Sequence, residues 1–326
     1  MKVLSCIPEQ KITKREKLAW IRKQLKAHHP DLLVTPQEFF GGIQAFWHDQ
    51  PISYQPEEII EPITKLAKEF DCAIATGAVI DDPELEERRE RIYIIDGSDW
   101  VSFYDKMFLP AYDHIEAKSP LAIHPERSFK KRAHIAEVKG ARISVIFCWE
   151  IFSNYLWHTI SRAQPDFVLS MIKFGACGWP KKKAGDSIFE QQFGFGADGG
   201  WIDRLRMAAR FDVAAPIVCS TNSWNLPARS RPLCGVINHF DPEHETFWHP
   251  PKGTRGEIEE RIDIAEVDHL FSRFVRANKH TLKSETDRWP TNEAHQATMM
   301  WKIKRMERKV IREAEEKADN PQLDLI

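Results

Sequence analysis

The 326-residue sequence lacks the features that mark several classes of protein. No apolar run approaches the about 18 residues of a transmembrane helix, and the N-terminal MKVLSCIPEQ reaches charged residues too soon for a secretory signal peptide. No two of the six cysteines are spaced as C-x-x-C, which argues against a zinc ribbon or a redox dithiol. Basic and acidic residues nearly balance, 46 against 48, which argues against a nucleic-acid-binding surface. We therefore expect a cytoplasmic protein with free thiols that binds neither membranes nor nucleic acids.

The remaining composition is that of a globular protein, with 42% hydrophobic and 29% charged residues. The segment Thr13–Glu16 has the pattern of a helix capping box, and the helix should end near Pro30. Further on, alternating segments flank Gly97-Ser98 and Lys139-Gly140, which predicts two β-hairpins. Apolar strand-like runs alternate with helical segments along the chain. This order predicts an α/β fold with a mixed sheet.

Two charged segments depart from this alternation. The run Asp82–Arg91 is dense in charge and predicts a solvated loop tip. Residues 292–319 are also charged but carry apolar residues at heptad-like spacing, namely Met299, Ile303, Met306 and Val310. This pattern predicts an amphipathic helix, packed either on its own subunit or on another one. We therefore divide the chain into a domain of residues 1–275 and a C-terminal extension of residues 276–326.

Three residues of compatible chemistry follow strand-like segments. Cys148 ends the apolar run Ile143–Phe147, where a rigid strand end can hold a nucleophilic sulfur beside the next backbone N–H. Glu38 precedes Phe39, and apolar surroundings would raise the pKa of this carboxyl and make it a usable base. Lys106 can lower the pKa of a thiol and stabilise an oxyanion. Taken singly, each also fits a structural role, as a core cysteine, an exposed loop acid and a surface lysine.

Together, in the order Glu, Lys, Cys, these segments resemble the nitrilase superfamily of carbon–nitrogen hydrolases. The resemblance extends from Met1 to about Leu270. Its motif-bearing segments are Thr35-Pro36-Gln37-Glu38, Tyr104-Asp105-Lys106 with Leu109-Pro110, Phe147-Cys148-Trp149-Glu150, Ala215–Asn222, Cys234–Ile237 and Ile262–Asp268. It implies a four-layer α-β-β-α sandwich, no metal or cofactor, and a homodimer or larger homo-oligomer.

The resemblance also implies a Glu-Lys-Cys triad. Cys148 would attack a carbonyl or nitrile carbon, while Glu38 would take the thiol proton and pass it to the leaving nitrogen. Lys106, with the backbone N–H of Trp149, would stabilise the tetrahedral intermediate. Ammonia or an amine would leave, and water activated by Glu38 would hydrolyse the thioester.

A second acid and a substrate pocket are further implications of the resemblance. Asp113 and Glu116 are candidates for the acid, and we favour Glu116 on residue type. The candidate substrate-binding residues are Phe39, Tyr112, Glu150, Phe174 and Trp179. The sequence departs from the family pattern by its extra Gln37 and by the unusual stretch Lys173–Gly200, so its substrate need not be that of a well-known branch.

The sequence thus predicts a thiol-dependent hydrolase that cleaves a non-peptide C–N bond of a small molecule. The Cys-Trp-Glu segment favours nitriles, whereas the region around Lys106 fits amides and N-carbamoyl compounds at least as well. Acyl transfer from the same thioester is an alternative, and the departures after Lys106 leave open a scaffold that binds a ligand without turnover. His239, His244 and His249 recur without cysteine or acidic partners and are weak evidence for a metal site.

Overall fold

The computed structural model describes residues 1–8, 13–41, 53–83, 87–98, 101–107, 134–172, 200–221, 233–238, 246–248, 259–268 and 273. In these residues the strands are β1 (Lys2–Ile7), β2 (Leu32–Val34), β3 (Ala73–Asp82), β4 (Glu87–Ile95), β5 (Val101–Asp105), β6 (Ala136–Val138), β7 (Ala141–Phe147), β8 (Phe167–Ile172), β9 (Ile217–Thr221), β10 (Cys234–Ile237), β11 (Thr246–Trp248) and β12 (Arg261–Glu266). The α-helices are α1 (Lys14–His28), α2 (Pro56–Phe70), α3 (Asn154–Ala163) and α4 (Gly200–Met207). A 3₁₀ turn, Cys148–Phe152, follows β7, and a π-helical turn, Ala208–Asp212, follows α4.

The strands form two six-stranded sheets of matching design. Their orders are β12-β1-β2-β3-β4-β5 and β11-β10-β9-β8-β7-β6. Strands β1, β2 and β3 are parallel in the first sheet, as are β7, β8 and β9 in the second. The flanking pairs are antiparallel, including both predicted hairpins, β4–β5 and β6–β7. The prediction of an α/β fold is therefore confirmed, and the predicted mixed sheet is present as two mixed sheets.

Three apolar cores separate four layers. Along β4, Ile92 and Ile94 point into the core between the sheets, whereas Tyr93 and Ile95 point into the core beneath α1 and α2. The third core lies between the second sheet and helices α3 and α4. Because side chains alternate across a strand, one strand serves two cores. The result is the α-β-β-α sandwich that the resemblance implies.

Helix α1 begins and ends where the sequence predicts. The Thr13 hydroxyl accepts from the backbone N–H of Glu16 at 3.2 Å, and the Glu16 carboxylate accepts from the backbone N–H of Thr13 at 3.0 Å. This reciprocal pair completes the capping box. At the other end, His29 adopts a left-handed conformation with φ of 46° immediately before Pro30, which stops the helix.

The interpretation of Asp82–Arg91 as a solvated loop tip is wrong for Asp82 and for Glu87–Arg91, which lie on strands. Strand β3 continues through Asp82 and pairs with β4, which begins at Glu87. Arg89, Glu90 and Arg91 are each at most 7% exposed. Buried charges are tolerated where they find partners, and Arg91 donates from Nε to a carboxylate oxygen of Asp105 at 2.6 Å. The high density of charged residues in the sequence indicated a loop, whereas the segment is a strand whose charged side chains are paired.

Arg273, the last described residue, contacts the segment that leads into β8 of the second sheet. Its guanidinium donates to a carboxylate oxygen of Asp166 at 2.8 Å, and Asp166 directly precedes β8. The predicted amphipathic helix of residues 292–319 lies outside the described residues. The domain division, the homo-oligomer and the cytoplasmic location therefore stay predictions. In the part of the chain described here, no helix is both long and apolar enough to cross a membrane.

Helix α1 buries one lysine on its inner face. Lys17 is 2% exposed, and its Nζ lies 5.9 Å from the ring centroid of Phe39. No hydrogen-bond acceptor for this Nζ lies among the described residues. Burial lowers the pKa of Lys17 from its ordinary value of 10.5 to about 7, and the charge of Glu38 opposes this shift only in part.

We predict that Lys17→Met raises the thermal midpoint near pH 6 and that this gain fades as the pH approaches about 10. At low pH the folded state must hold a buried ammonium. Between pH 7 and 10.5 the unfolded chain binds more protons at this position, so the cost to folding is progressively relieved. Thermal denaturation across this range measures the effect. Lys23→Met, exposed on the same helix, should change the midpoint little at any pH, and an equal gain at every pH for Lys17→Met would contradict the prediction.

Candidate active site

The turn that carries Glu38 bulges out of the line of β2 alongside β3. Thr35 and Phe40 each donate a backbone N–H to β3, to the carbonyls of Ala75 and Gly77 at 2.9 and 3.0 Å. The residues between Thr35 and Phe40 do not pair with β3, and they form the bulge. Glu38 lies in it and is buried, at 6% exposure.

Gly77 allows this turn to lie against β3. A Cβ placed on Gly77 would lie 1.5 Å from the carbonyl oxygen of Gln37, far closer than any non-bonded contact. A side chain at position 77 therefore cannot coexist with the observed backbone of the turn. The position of Glu38, the next residue, depends on this close approach.

Lys106 follows β5 and points into the buried space at the end of the first sheet. Its Nζ donates to Oε2 of Glu90 at 3.0 Å, and its backbone N–H donates to the Glu90 carbonyl at 2.9 Å. Both side chains are almost fully buried. Removing one member of a buried ion pair typically costs about 3–5 kcal/mol, so each charge holds the other in the core.

Glu90 is a member of this site that the sequence analysis missed. The same Oε2 also accepts a hydrogen bond from Nε2 of Gln37, the residue before Glu38. One carboxylate thus contacts both the Lys106 segment and the Glu38 segment. The signal in the sequence was the alternation of Glu90, Ile92 and Ile94, but the density of charge around Glu90 obscured it.

Cys148 lies at the junction between β7 and the 3₁₀ turn. Its φ of 21° falls at the edge of the left-handed region, which a residue other than glycine rarely occupies. Such strain costs about 1–3 kcal/mol and is found preferentially at functional sites. Trp149 follows in the same turn, where the first backbone N–H groups have no acceptor within the turn itself.

The other described cysteines are distinguished from Cys148 by their burial. Cys6, Cys72, Cys219 and Cys234 are buried. Burial raises the pKa of every one of these thiols, to about 12 for Cys72 and Cys234. Cys148 is partly exposed. Cys177 lies outside the described residues.

Glu150 joins the end of β5 to the end of β7. Its carboxylate accepts from the backbone N–H of Met107 at 2.6 Å, from that of Phe147 at 3.0 Å, and from the Tyr104 hydroxyl at 3.1 Å. Burial and the Glu150 charge raise the pKa of Tyr104 well above its ordinary value, so this hydroxyl stays a donor. Glu150 fixes the segment that bears Lys106 against the segment that bears Cys148. Its contact with substrate stays a prediction.

The three predicted catalytic segments meet through their neighbours. Lys106 Nζ lies 6.0 Å from the ring centroid of Phe147, the residue before Cys148. Tyr104 stacks on the same ring at 5.6 Å. On the other side, Glu90 connects Lys106 to the Glu38 turn. The segments from β2, β5 and β7 therefore converge at one end of the space between the sheets.

The remaining predicted site residues have different outcomes. Phe39 packs in the core beneath α1 and α2, where its ring centroid lies 5.6 Å from that of Trp20. Its contact with substrate stays a prediction. The predicted residues outside the described part of the chain are Glu116, its alternative Asp113, Tyr112, Phe174 and Trp179, together with His239, His244 and His249. Among the residues that are described, no group of three or more His, Cys, Asp or Glu side chains could hold a metal ion.

The comparison with protein families agrees with the geometry. The carbon-nitrogen hydrolase family model matches residues 15–185, just over half of the chain. The chain therefore belongs to the carbon–nitrogen hydrolase family. No curated protein sequence matches it.

Solved structures share the fold over almost the whole of their own length. XC1258 of Xanthomonas campestris, a CN-hydrolase superfamily protein with an arsenic adduct in its active site, aligns with a TM-score of 0.59 at 12% identity, covering 87% of this chain and 96% of that one. An amidase of Nesterenkonia sp. AN1, with acrylamide added to its active-site cysteine, gives 0.55 at 13% identity, covering 86% and 98%. A carbon-nitrogen hydrolase of Helicobacter pylori G27 gives 0.59 at 12%, covering 86% and 93%. At these identities the likeness shows the fold.

We predict that iodoacetamide labels Cys148 well before the buried cysteines of the native protein. Alkylation requires an accessible thiolate, and burial both shields the four core thiols and raises their pKa. Peptide mapping by mass spectrometry identifies the labelled residue, and Cys148→Ala provides the blank. Labelling of Cys148 at the rate of the core thiols would contradict the assignment of an activated nucleophile.

We predict that Gly77→Ala strongly reduces turnover, because the added Cβ must displace the turn that carries Glu38. Ammonia release at saturating substrate measures this loss. Gly140→Ala is the control for replacing a glycine. Its φ of 80° makes that substitution strained by about 1 kcal/mol, but it lies at the opposite end of β7 from Cys148 and should leave turnover intact. Equal turnover in the two variants would show that the turn tolerates the displacement.

Proposed function

We propose that this protein is a thiol-dependent hydrolase that cleaves a non-peptide C–N bond of a small molecule through a thioester on Cys148. The observation that carries the proposal is a partly exposed, strained cysteine at a strand end, next to a buried segment that contains Lys106. Membership of the carbon–nitrogen hydrolase family supports it. Similarity in fold to the Nesterenkonia amidase makes amides the first substrates to test, ahead of N-carbamoyl compounds and nitriles.

In the first half of the reaction, the Cys148 sulfur attacks the carbonyl carbon while Glu38 takes the thiol proton. The carbonyl π electrons move to the oxygen, and the ammonium of Lys106 and the backbone N–H of Trp149 stabilise the resulting oxyanion. Glu38 then gives the proton to the nitrogen. The C–N bond breaks, ammonia or an amine leaves, and a thioester remains on Cys148.

In the second half of the reaction, water hydrolyses the thioester. Glu38 takes a proton from the water as its oxygen attacks the thioester carbon, and the same oxyanion contacts stabilise the second tetrahedral intermediate. The C–S bond then breaks, the acid leaves and the thiol is restored with the proton from Glu38. The burial of Glu38 and Lys106 strengthens these interactions, since charges interact more strongly where water is excluded.

We predict that Cys148→Ala abolishes ammonia release and that Glu38→Gln reduces it about 10²- to 10⁴-fold, the usual contribution of a general base. The assay is a panel of amides, ureas, N-carbamoyl compounds and nitriles. Glu61→Gln, an exposed acid on α2, is the matched control and should retain full activity. Full turnover by Cys148→Ala on a substrate that the protein hydrolyses would refute the nucleophile.

The same panel separates the alternatives that the sequence leaves open. Addition of an amine or thiol acceptor that yields an acyl product faster than the free acid would indicate an acyltransferase. Binding of panel compounds without product, detected as a rise in thermal midpoint, would indicate a scaffold that does not catalyse turnover.

A further inference from the structure

The carboxylate of Glu90 is held in place by the pairing of two strands. In the β4–β5 ladder Arg91 lies opposite Asp105, which brings Glu90 beside Lys106. Glu90 is 2% exposed and lies on the inward face of β4 with Ile92 and Ile94. Backbone and side chain of Lys106 both donate to Glu90, so the ladder fixes the relative position of the two charges.

Two buried lysines of the chain show what a carboxylate partner does for a buried ammonium. Lys17 and Lys106 are 2% and 1% exposed. Lys17 has no acceptor among the described residues, and burial lowers its pKa to about 7. Lys106 instead donates to a carboxylate at 3.0 Å. An opposite charge at hydrogen-bond distance favours the protonated form of a buried lysine.

Gln37 adds a second contact on the same carboxylate oxygen. Its side chain is 1% exposed, and Nε2 donates to Oε2 of Glu90. Gln37 is the residue by which the Glu38 segment departs from the family pattern. The extra residue thus binds the carboxylate that also binds Lys106, and it connects the turn of the proposed base to the proposed oxyanion contact.

Stability alone is a poor explanation for this arrangement. Replacing a buried ion pair by apolar side chains of similar volume is often neutral or stabilising, and apolar residues fill most of the space between these two sheets. A charged pair at the end where the catalytic segments converge is therefore better explained by chemistry.

We propose that Glu90 is a positioning residue of the active site, whose carboxylate holds Lys106 charged and in place and couples it to the turn that carries Glu38. This inference rests on the proposed function. Among the described residues, the other titratable groups on the elements around Lys106 include Glu38, Tyr104, Cys148, Glu150 and His134, whereas Arg91 and Asp105 pair on the outer face of the first sheet. Glu90 contacts both segments, because its carboxylate accepts from the side chains of Lys106 and Gln37.

The substitution Glu90→Gln tests the charge, because it keeps the size and an acceptor oxygen. Removing a negative charge lowers the proton affinity of the groups around it. The alkaline limb of kcat/KM should therefore move to lower pH by about one unit as Lys106 loses its proton more readily. We expect kcat to fall about 10- to 100-fold with KM changed by less than about twofold, since the lost contact acts on the transition state.

A second readout needs no substrate. The pH midpoint of Cys148 alkylation by iodoacetamide should also move to lower pH in Glu90→Gln, for the same electrostatic reason. The variant should thus combine a more reactive thiol with slower turnover. A purely structural role for Glu90 would not raise the reactivity of the thiol while lowering turnover, and it would not shift the alkaline limb of kcat/KM. If the wild type turns over no compound, the proposed function fails while alkylation still tests Glu90.

Two further variants and one control complete the experiment. Glu90→Asp keeps the charge and should keep the wild-type pH limb, although its shorter side chain lowers kcat. Gln37→Met removes an uncharged donor and should lower kcat without moving the limb. Glu61→Gln, the exposed acid on α2 that also serves as the control for Glu38→Gln, should match the wild type. Thermal denaturation of each variant shows whether a loss of activity results from unfolding. A Glu90→Gln protein that folds and retains the wild-type pH profiles for both turnover and alkylation would overturn the proposal.

Discussion

Charged groups buried between two apolar sheets must find partners there, and this constraint organises the active-site end of the sandwich. The space between the sheets is filled mainly by aliphatic side chains. At one end, however, it receives the carboxylates of Glu90 and Glu150 and the ammonium of Lys106, all nearly inaccessible to water. Each of these groups binds at least one other at hydrogen-bond distance or accepts from the backbone. Satisfying them requires the strand ends to meet in one arrangement.

The two carboxylates add connections between chain segments to those that the strand ladders make. The β4–β5 ladder positions Lys106 at the end of the first sheet, and Cys148 directly follows β7 of the second sheet. Glu150 spans the two sheets by accepting from Met107 and Phe147. Glu90 also binds the turn after β2, because its carboxylate accepts from the side chain of Gln37. A site assembled in this way is organised before substrate arrives, which is the condition under which fixed charges contribute most to catalysis.

Features encoded by neighbouring residues could be predicted from the sequence, and features that depend on distant partners could not. The cap of α1 at Thr13, both hairpins and the strand that ends at Cys148 are local patterns, and the structure has all of them. Glu90 was missed because charge in a sequence ordinarily indicates exposure. Its burial depends on partners at positions 37 and 106, on two other segments of the chain. Glu150 illustrates the same limit, since its donors at Tyr104 and Met107 are more than forty residues away.

The charge balance of the proposed mechanism explains why a carboxylate beside Lys106 is compatible with stabilising an oxyanion. With Glu38 and Glu90 ionised, Lys106 protonated and Cys148 a thiol, these four groups carry a net charge of −1. When Glu38 takes the thiol proton, its negative charge disappears as that of the oxyanion appears, so the total is unchanged. The reaction thus moves a charge within the site rather than adding one to a buried space. Throughout, the pair of Glu90 and Lys106 can remain a fixed dipole whose positive end faces the new oxyanion, and this requires only that Lys106 keep its proton.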